Sequence, residues 1–123
     1  MTEKQIDFQN KCIVFSVRVV KLEQFLAKEK REYSMSDQIK RCGTSIGANY
    51  SEAVYAESDI DFVHKMGVAQ KEANETLYWL KVLYQSEYID QCLFESLYHD
   101  ANELMKVITS SIISVKKRLK QIQ

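Results

Sequence analysis

The chain has 123 residues, with 17 basic and 17 acidic side chains, no proline and three glycines. That length suits one domain, residues 1–123, able to bury a core without metals or disulfides, and a formal charge of zero supplies no bulk attraction to nucleic acid or to a membrane. No apolar run reaches the roughly 18 residues of a bilayer span. The start, Met-Thr-Glu-Lys-Gln-Ile-Asp, lacks the basic-then-apolar layout of a signal peptide, so a cytoplasmic location is expected.

Four helices are legible in the spacing of apolar residues. In the first, Phe8, Cys12, Phe15, Val19, Leu22 and Leu26 recur four and three residues apart, the seam of a bundle helix. The pattern predicts a helix from about Phe8 to Arg31. The second is expected to open at Ser36 or Asp37, both good N-caps, and to carry Ile39, Cys42, Ile46, Asn49 and Ala53 inward. Within it, Gly43, Ser45, Gly47 and Ala48 form a run of small residues. Glycine costs about 1 kcal/mol against alanine inside a helix, so a helix that keeps two of them is expected to lie close against another.

Ser58 or Asp59 caps the third helix, whose inward positions are Phe62, Met66, Ala69, Ala73, Thr76, Leu80 and Leu83. After a break around Glu87 to Gln91, the fourth carries Leu97, Ala101, Leu104, Ile108, Ser111 and Val115, widened by Tyr98, Met105, Ile112 and Leu119. Short connections between long helices favour antiparallel neighbours. The expected fold is therefore all-α, an up-down-up-down left-handed four-helix bundle.

The first helix is apolar on two sides. Opposite its seam lie Ile13, Val17 and Val20, at i, i+4 and i+7. Isolated surface valines are common, but three on one stripe point to a second buried face, most simply against another copy of the chain. Val14, Tyr78, Trp79 and Tyr84 are candidates to extend that contact.

Charge is segregated. Residues 1–51 carry a net +3, residues 52–105 a net −8 and residues 106–123 a net +5. The basic tail, Lys116, Lys117, Arg118 and Lys120, is expected beside Glu52, Glu57, Asp59 and Asp61 at the junction of helices two and three, where it neutralises its neighbours, with contact to phosphates as the competing reading. At the other end, Lys28, Lys30, Arg31, Lys40 and Arg41 are the candidate nucleic-acid contacts, RNA or DNA, with a solvated helix end as the plainer reading.

Chemistry is poorly represented. His64 and His99 fall near the starts of helices three and four, at opposite ends of an antiparallel bundle, so a di-metal site built from bundle helices is excluded and no metal or cofactor is expected. Neither a Gly-x-Ser-x-Gly turn nor a phosphate-binding loop is present, and an enzyme is not expected. The cysteines, Cys12, Cys42 and Cys92, lack zinc-site spacing, and the first two read as small core hydrophobes. Ser45, Asn49, Glu72 and Thr76 form a candidate buried polar network that fixes helix register; the competing reading is a ligand site inside the bundle.

Arg41, Ser45, Ile46, Asn49 and Glu52, followed by Asp61-Phe62, Ala69, Glu72, Glu75, Leu80 and the segment from Leu104 to Lys116, resemble the four-helix-bundle family of 23S rRNA intervening-sequence proteins. That family often has an aliphatic residue where Tyr50 stands and a glycine where Ala53 stands. The resemblance implies an up-down bundle similar to the accessory protein of diversity-generating retroelements, a pentameric barrel that binds nucleic acid and a reverse transcriptase. It implies a homopentameric binding or scaffold protein, with RNA or another nucleic acid as ligand, or a protein-protein interaction module without nucleic-acid affinity.

Overall fold

A computed structural model describes residues 1–122, and its architecture is four helices with no strand among those residues. They are α1 (Glu3–Lys30), α2 (Ser34–Ala53), α3 (Asp59–Gln85) and α4 (Gln91–Ile122). Contacts run α1 to α2, α2 to α3 and α3 to α4, with a thin closing contact between α1 and α4. Cross-links such as Gln9 to Ser51, Glu23 to Lys40 and Gln70 to Thr109 pair rising with falling residue numbers, so chain neighbours are antiparallel. The expected four-helix bundle is observed.

Local capping explains where the helices begin. α1 starts five residues earlier than the seam predicted, because Thr2 and Gln5 form a capping box. The Gln5 amide donates to Thr2 Oγ1 at 3.1 Å, and the Thr2 amide donates to Gln5 Oε1 at 2.8 Å. α2 also starts early, at Ser34. Ser36 lies inside it, with its hydroxyl donating to the Glu32 carbonyl and its amide to the Glu32 carboxylate. Ser58 caps α3 by accepting from the Asp61 amide at 3.1 Å, as expected, and Asp90 accepts from the Leu93 amide at 2.8 Å ahead of α4. Two helices end on left-handed residues that are not glycine, Arg31 (φ 52°) and Glu87 (φ 66°). At the end of α3 the Tyr88 amide donates to the Leu83 carbonyl and the Glu87 amide to that of Tyr84, a Schellman turn. At the end of α1 the Arg31 and Glu32 amides both donate to the Leu26 carbonyl in a wider turn.

The α1 seam is buried in full. Three inward assignments elsewhere need correction. Asn49 is only half-buried; Tyr50 takes the core position and meets Phe8 edge-on, with ring centroids 4.6 Å apart. Phe62, at the start of its seam, and Ser111, beside the buried Ile112, are likewise half-buried. Leu26, Ile39, Ile46, Leu80 and Ile108 are wholly enclosed. Each such side chain contributes about 1.5–3 kcal/mol, against about 0–1 kcal/mol for a surface ion pair, so packing rather than charge holds the bundle together.

The small-residue run does what its composition implies. A Cβ on Gly47 would stand 2.8 Å from Cys12 Cβ, and one on Gly43 would stand 2.9 Å from both Val19 methyls. α1 and α2 approach too closely there for any side chain. Gly67 is different, with nothing within 4 Å of its missing Cβ.

Candidate functional site

The apolar stripe on α1 faces away from the core. Ile13 is 53% exposed and Val17 48%, with Ile6 extending the row toward the N-terminus; Val20 is half-buried at the stripe's edge. The aromatics of α3 do not extend it. α1 and α3 are diagonal in the bundle and share no contact, so their outer faces point in opposite directions. Tyr84 is moreover committed to α4, stacked on Phe94 at 4.6 Å.

The five basic candidates differ in what they meet. Lys28, Lys30 and Arg31 are exposed at the end of α1 and form no ion pair among the described residues, Lys30 standing 5.9 Å over the Phe25 ring. Lys40 is turned to α1, bonded to Glu23 at 3.2 Å. Arg41, one residue on and about 100° around the helix, is turned toward α3, where its charge acts on Glu72. The tail behaves as expected: Arg118 binds Asp59 through both carboxylate oxygens, at 3.1 and 2.9 Å, and holds that carboxyl below its ordinary range.

The polar candidates do not join into a network across helices. Ser45 donates to the Arg41 carbonyl, the Asn49 amide to the Ser45 carbonyl and Thr76 to the Glu72 carbonyl, each four residues back on its own helix. Hydroxyls on a helix find that carbonyl without any partner helix, and two of these residues are too exposed to require one. Thr76 alone is fully buried, and across the α2–α3 seam it meets the Cys42 thiol. Glu72 is half-buried; burial, reinforced by Glu75, pushes its carboxyl above the ordinary range, while Lys71 and Arg41 oppose the rise.

Reactive groups are scarce. Burial pushes the Cys12 thiol up to about 12 and the Cys42 thiol up to about 11, so both are protonated, inert core residues. Among the described residues no three metal-ligating side chains converge, and no helix is long and apolar enough to cross a membrane.

One feature escaped the sequence. Because α1 and α4 stand apart, an open groove runs between them. At one end it widens over the α2–α3 junction into a stretch of about 1030 Å³ above Phe8, Tyr50 and Val115, lined by both acids and bases: Asp7, Glu57 and Asp59 with Lys4, Lys11 and Arg118. The next, about 420 Å³, has Phe15 and Leu104 as its floor and Val14, Asp100 and Glu103 on its lips. A third, about 220 Å³, lies over Leu22, Phe25 and Leu97. Arg18 spans the gap, donating to Asp100 at 2.7 Å and to Ser96 at 3.0 Å. Val14, 60% exposed, was the visible sign of this opening.

Comparison with known proteins agrees with the architecture. The chain superposes with a TM-score of 0.86 on a crystal structure of a protein of unknown function from the S23 ribosomal protein family of Bacteroides thetaiotaomicron. The two are 47% identical, over 89% of this chain and 97% of the other. No curated protein matches. The sequence model described as 23S rRNA-intervening sequence protein matches residues 4–110. The chain belongs to that 23S rRNA-intervening sequence protein family.

Proposed function

We propose that this protein is a non-catalytic, self-assembling scaffold, a homopentamer on the likeness to the retroelement accessory protein, that presents its helix ends to a macromolecular ligand. The observation that carries this reading is the row of Ile6, Ile13 and Val17, exposed on the side of α1 opposite a fully buried seam. A soluble bundle has no use for an apolar outer row unless something covers it. The test is Val17→Asp, which would bury an unpaired charge in any interface formed there. Loss of the assembled species in size-exclusion chromatography with light scattering supports the reading; an assembly of unchanged mass overturns it.

A second reading concerns the ligand. Lys28, Lys30 and Arg31 are exposed and without ion-pair partners among the described residues, which favours a phosphate-bearing strand, and a ring would multiply a weak contact by avidity. Replacing all three with glutamine should weaken binding of a single-stranded RNA probe and lower the slope of log K against log salt by about 2. Unchanged binding and slope would leave a protein-protein module without nucleic-acid affinity at this surface.

A further inference from the structure

We propose that the wide end of the α1–α4 groove binds an uncharged small molecule, one with an aromatic body and a carbonyl acceptor, through the Tyr50 hydroxyl. Tyr50 stands in the last turn of α2, beside the gap that the thin α1–α4 contact leaves open. The residue is only 6% exposed, and its ring is fixed edge-on against Phe8. A buried phenol ordinarily finds a hydrogen-bond partner, yet this one has none among the described residues. No fully enclosed side-chain oxygen among them lacks a partner, so the Tyr50 hydroxyl is not enclosed. It opens into the groove that Tyr50 lines. Burial, reinforced by Cys12, pushes its pKa up, so at neutral pH it keeps its proton and offers a donor.

The surroundings of that donor define what it would hold. Phe8, Phe62 and Val115 make the floor apolar, and the two phenyl rings suit an aromatic ring laid edge-on or offset. Charges around the site cancel. Arg118 is bound to Asp59 through both oxygens, and Lys4 and Lys11 are matched in number by Asp7 and Glu57. A phosphate or carboxylate would therefore meet as much repulsion as attraction, unlike at the far end of α1, where Lys28, Lys30 and Arg31 stand without ion-pair partners among the described residues. An uncharged molecule escapes that conflict. The space, about 1030 Å³, is on the scale of small-molecule sites, roughly 300–1,000 Å³. All of these groups belong to one chain, so a single copy suffices.

Nile red, an uncharged fluorescent aromatic ketone, is the probe, titrated against the full chain and followed by its emission. The expected result is saturable binding of one dye per chain, indifferent to salt. Tyr50→Phe keeps the ring and removes the donor, and should weaken that binding about three- to tenfold. Ser114→Trp, on the α4 side of the groove, should fill the site and abolish binding. Because the hydroxyl has no partner within the protein, Tyr50→Phe should not lower the thermal midpoint of the dye-free chain. A lowered midpoint would overturn the proposal by showing that the hydroxyl makes a structural bond. Equal affinity in all three proteins would overturn it too, by placing the dye on another apolar surface and leaving the hydroxyl to solvent. No saturable binding at all would have the same force. Tighter binding of anilinonaphthalene sulfonate that weakens with salt would overturn the assignment of an uncharged ligand.

Discussion

At Gly47 the backbone of α2 comes so close to α1 that Cys12 Cβ occupies the place where a side chain would begin. Gly47→Ala must therefore push the helices apart, and overpacking of this kind costs about 1–3 kcal/mol. Gly67 is an internal control. Nothing crowds it, so Gly67→Ala should stabilise α3 by about 0.5–1 kcal/mol through backbone entropy. Urea unfolding of the two variants should move the midpoint in opposite directions; shifts of the same sign would contradict the close-approach account. The glycine run was legible because glycine inside a helix needs a reason. The choice between Asn49 and Tyr50 was not, since adjacent positions at a seam's edge both fit the helical period and only the Phe8 ring decides between them. Arg31 and Glu87 were unreadable as helix ends for a related reason: the usual signal there is glycine, and this chain has none outside its helices.

Among the elements, α4 is the longest, and near its end it is tied to the start of α3 by the Arg118–Asp59 pair. The hydrogen bond from Arg118, more than its charge alone, holds the Asp59 carboxyl below its ordinary 3.8. A carboxyl depressed in the folded state stabilises that state above its unfolded pKa, and the contribution disappears as pH falls through the lower folded value. Arg118→Met should therefore increase amide hydrogen exchange in the first turn of α3 at neutral pH. The difference from the unsubstituted chain should vanish once the medium is acid enough to protonate Asp59. An equal difference at both pH values would mean that Arg118 acts there by packing alone. This contact was expected from topology and charge, because an antiparallel bundle brings the end of α4 beside the α2–α3 junction. The early start of α1 was missed because its first turn lies outside the apolar seam; Thr2 and Gln5, three residues apart, were the available sign.

For the whole molecule, the seams gave the number and order of helices, since a 3.6-residue period states which face each helix buries. They gave no distances. The groove between α1 and α4 was invisible because the α1 seam is the same whether its last neighbour closes tightly or stands off. The same limit applies to the basic end: residues near one another along the chain, such as Lys40 and Arg41, project to different helices and meet different acids. The apolar row left uncovered on α1 makes assembly the central claim. It is tested most directly by the mass of the unsubstituted protein in solution, measured by light scattering across a dilution series. The account predicts a discrete species of about five times the 14.4 kDa chain mass, persisting until dilution dissociates it. A mass of one chain at every concentration would contradict it.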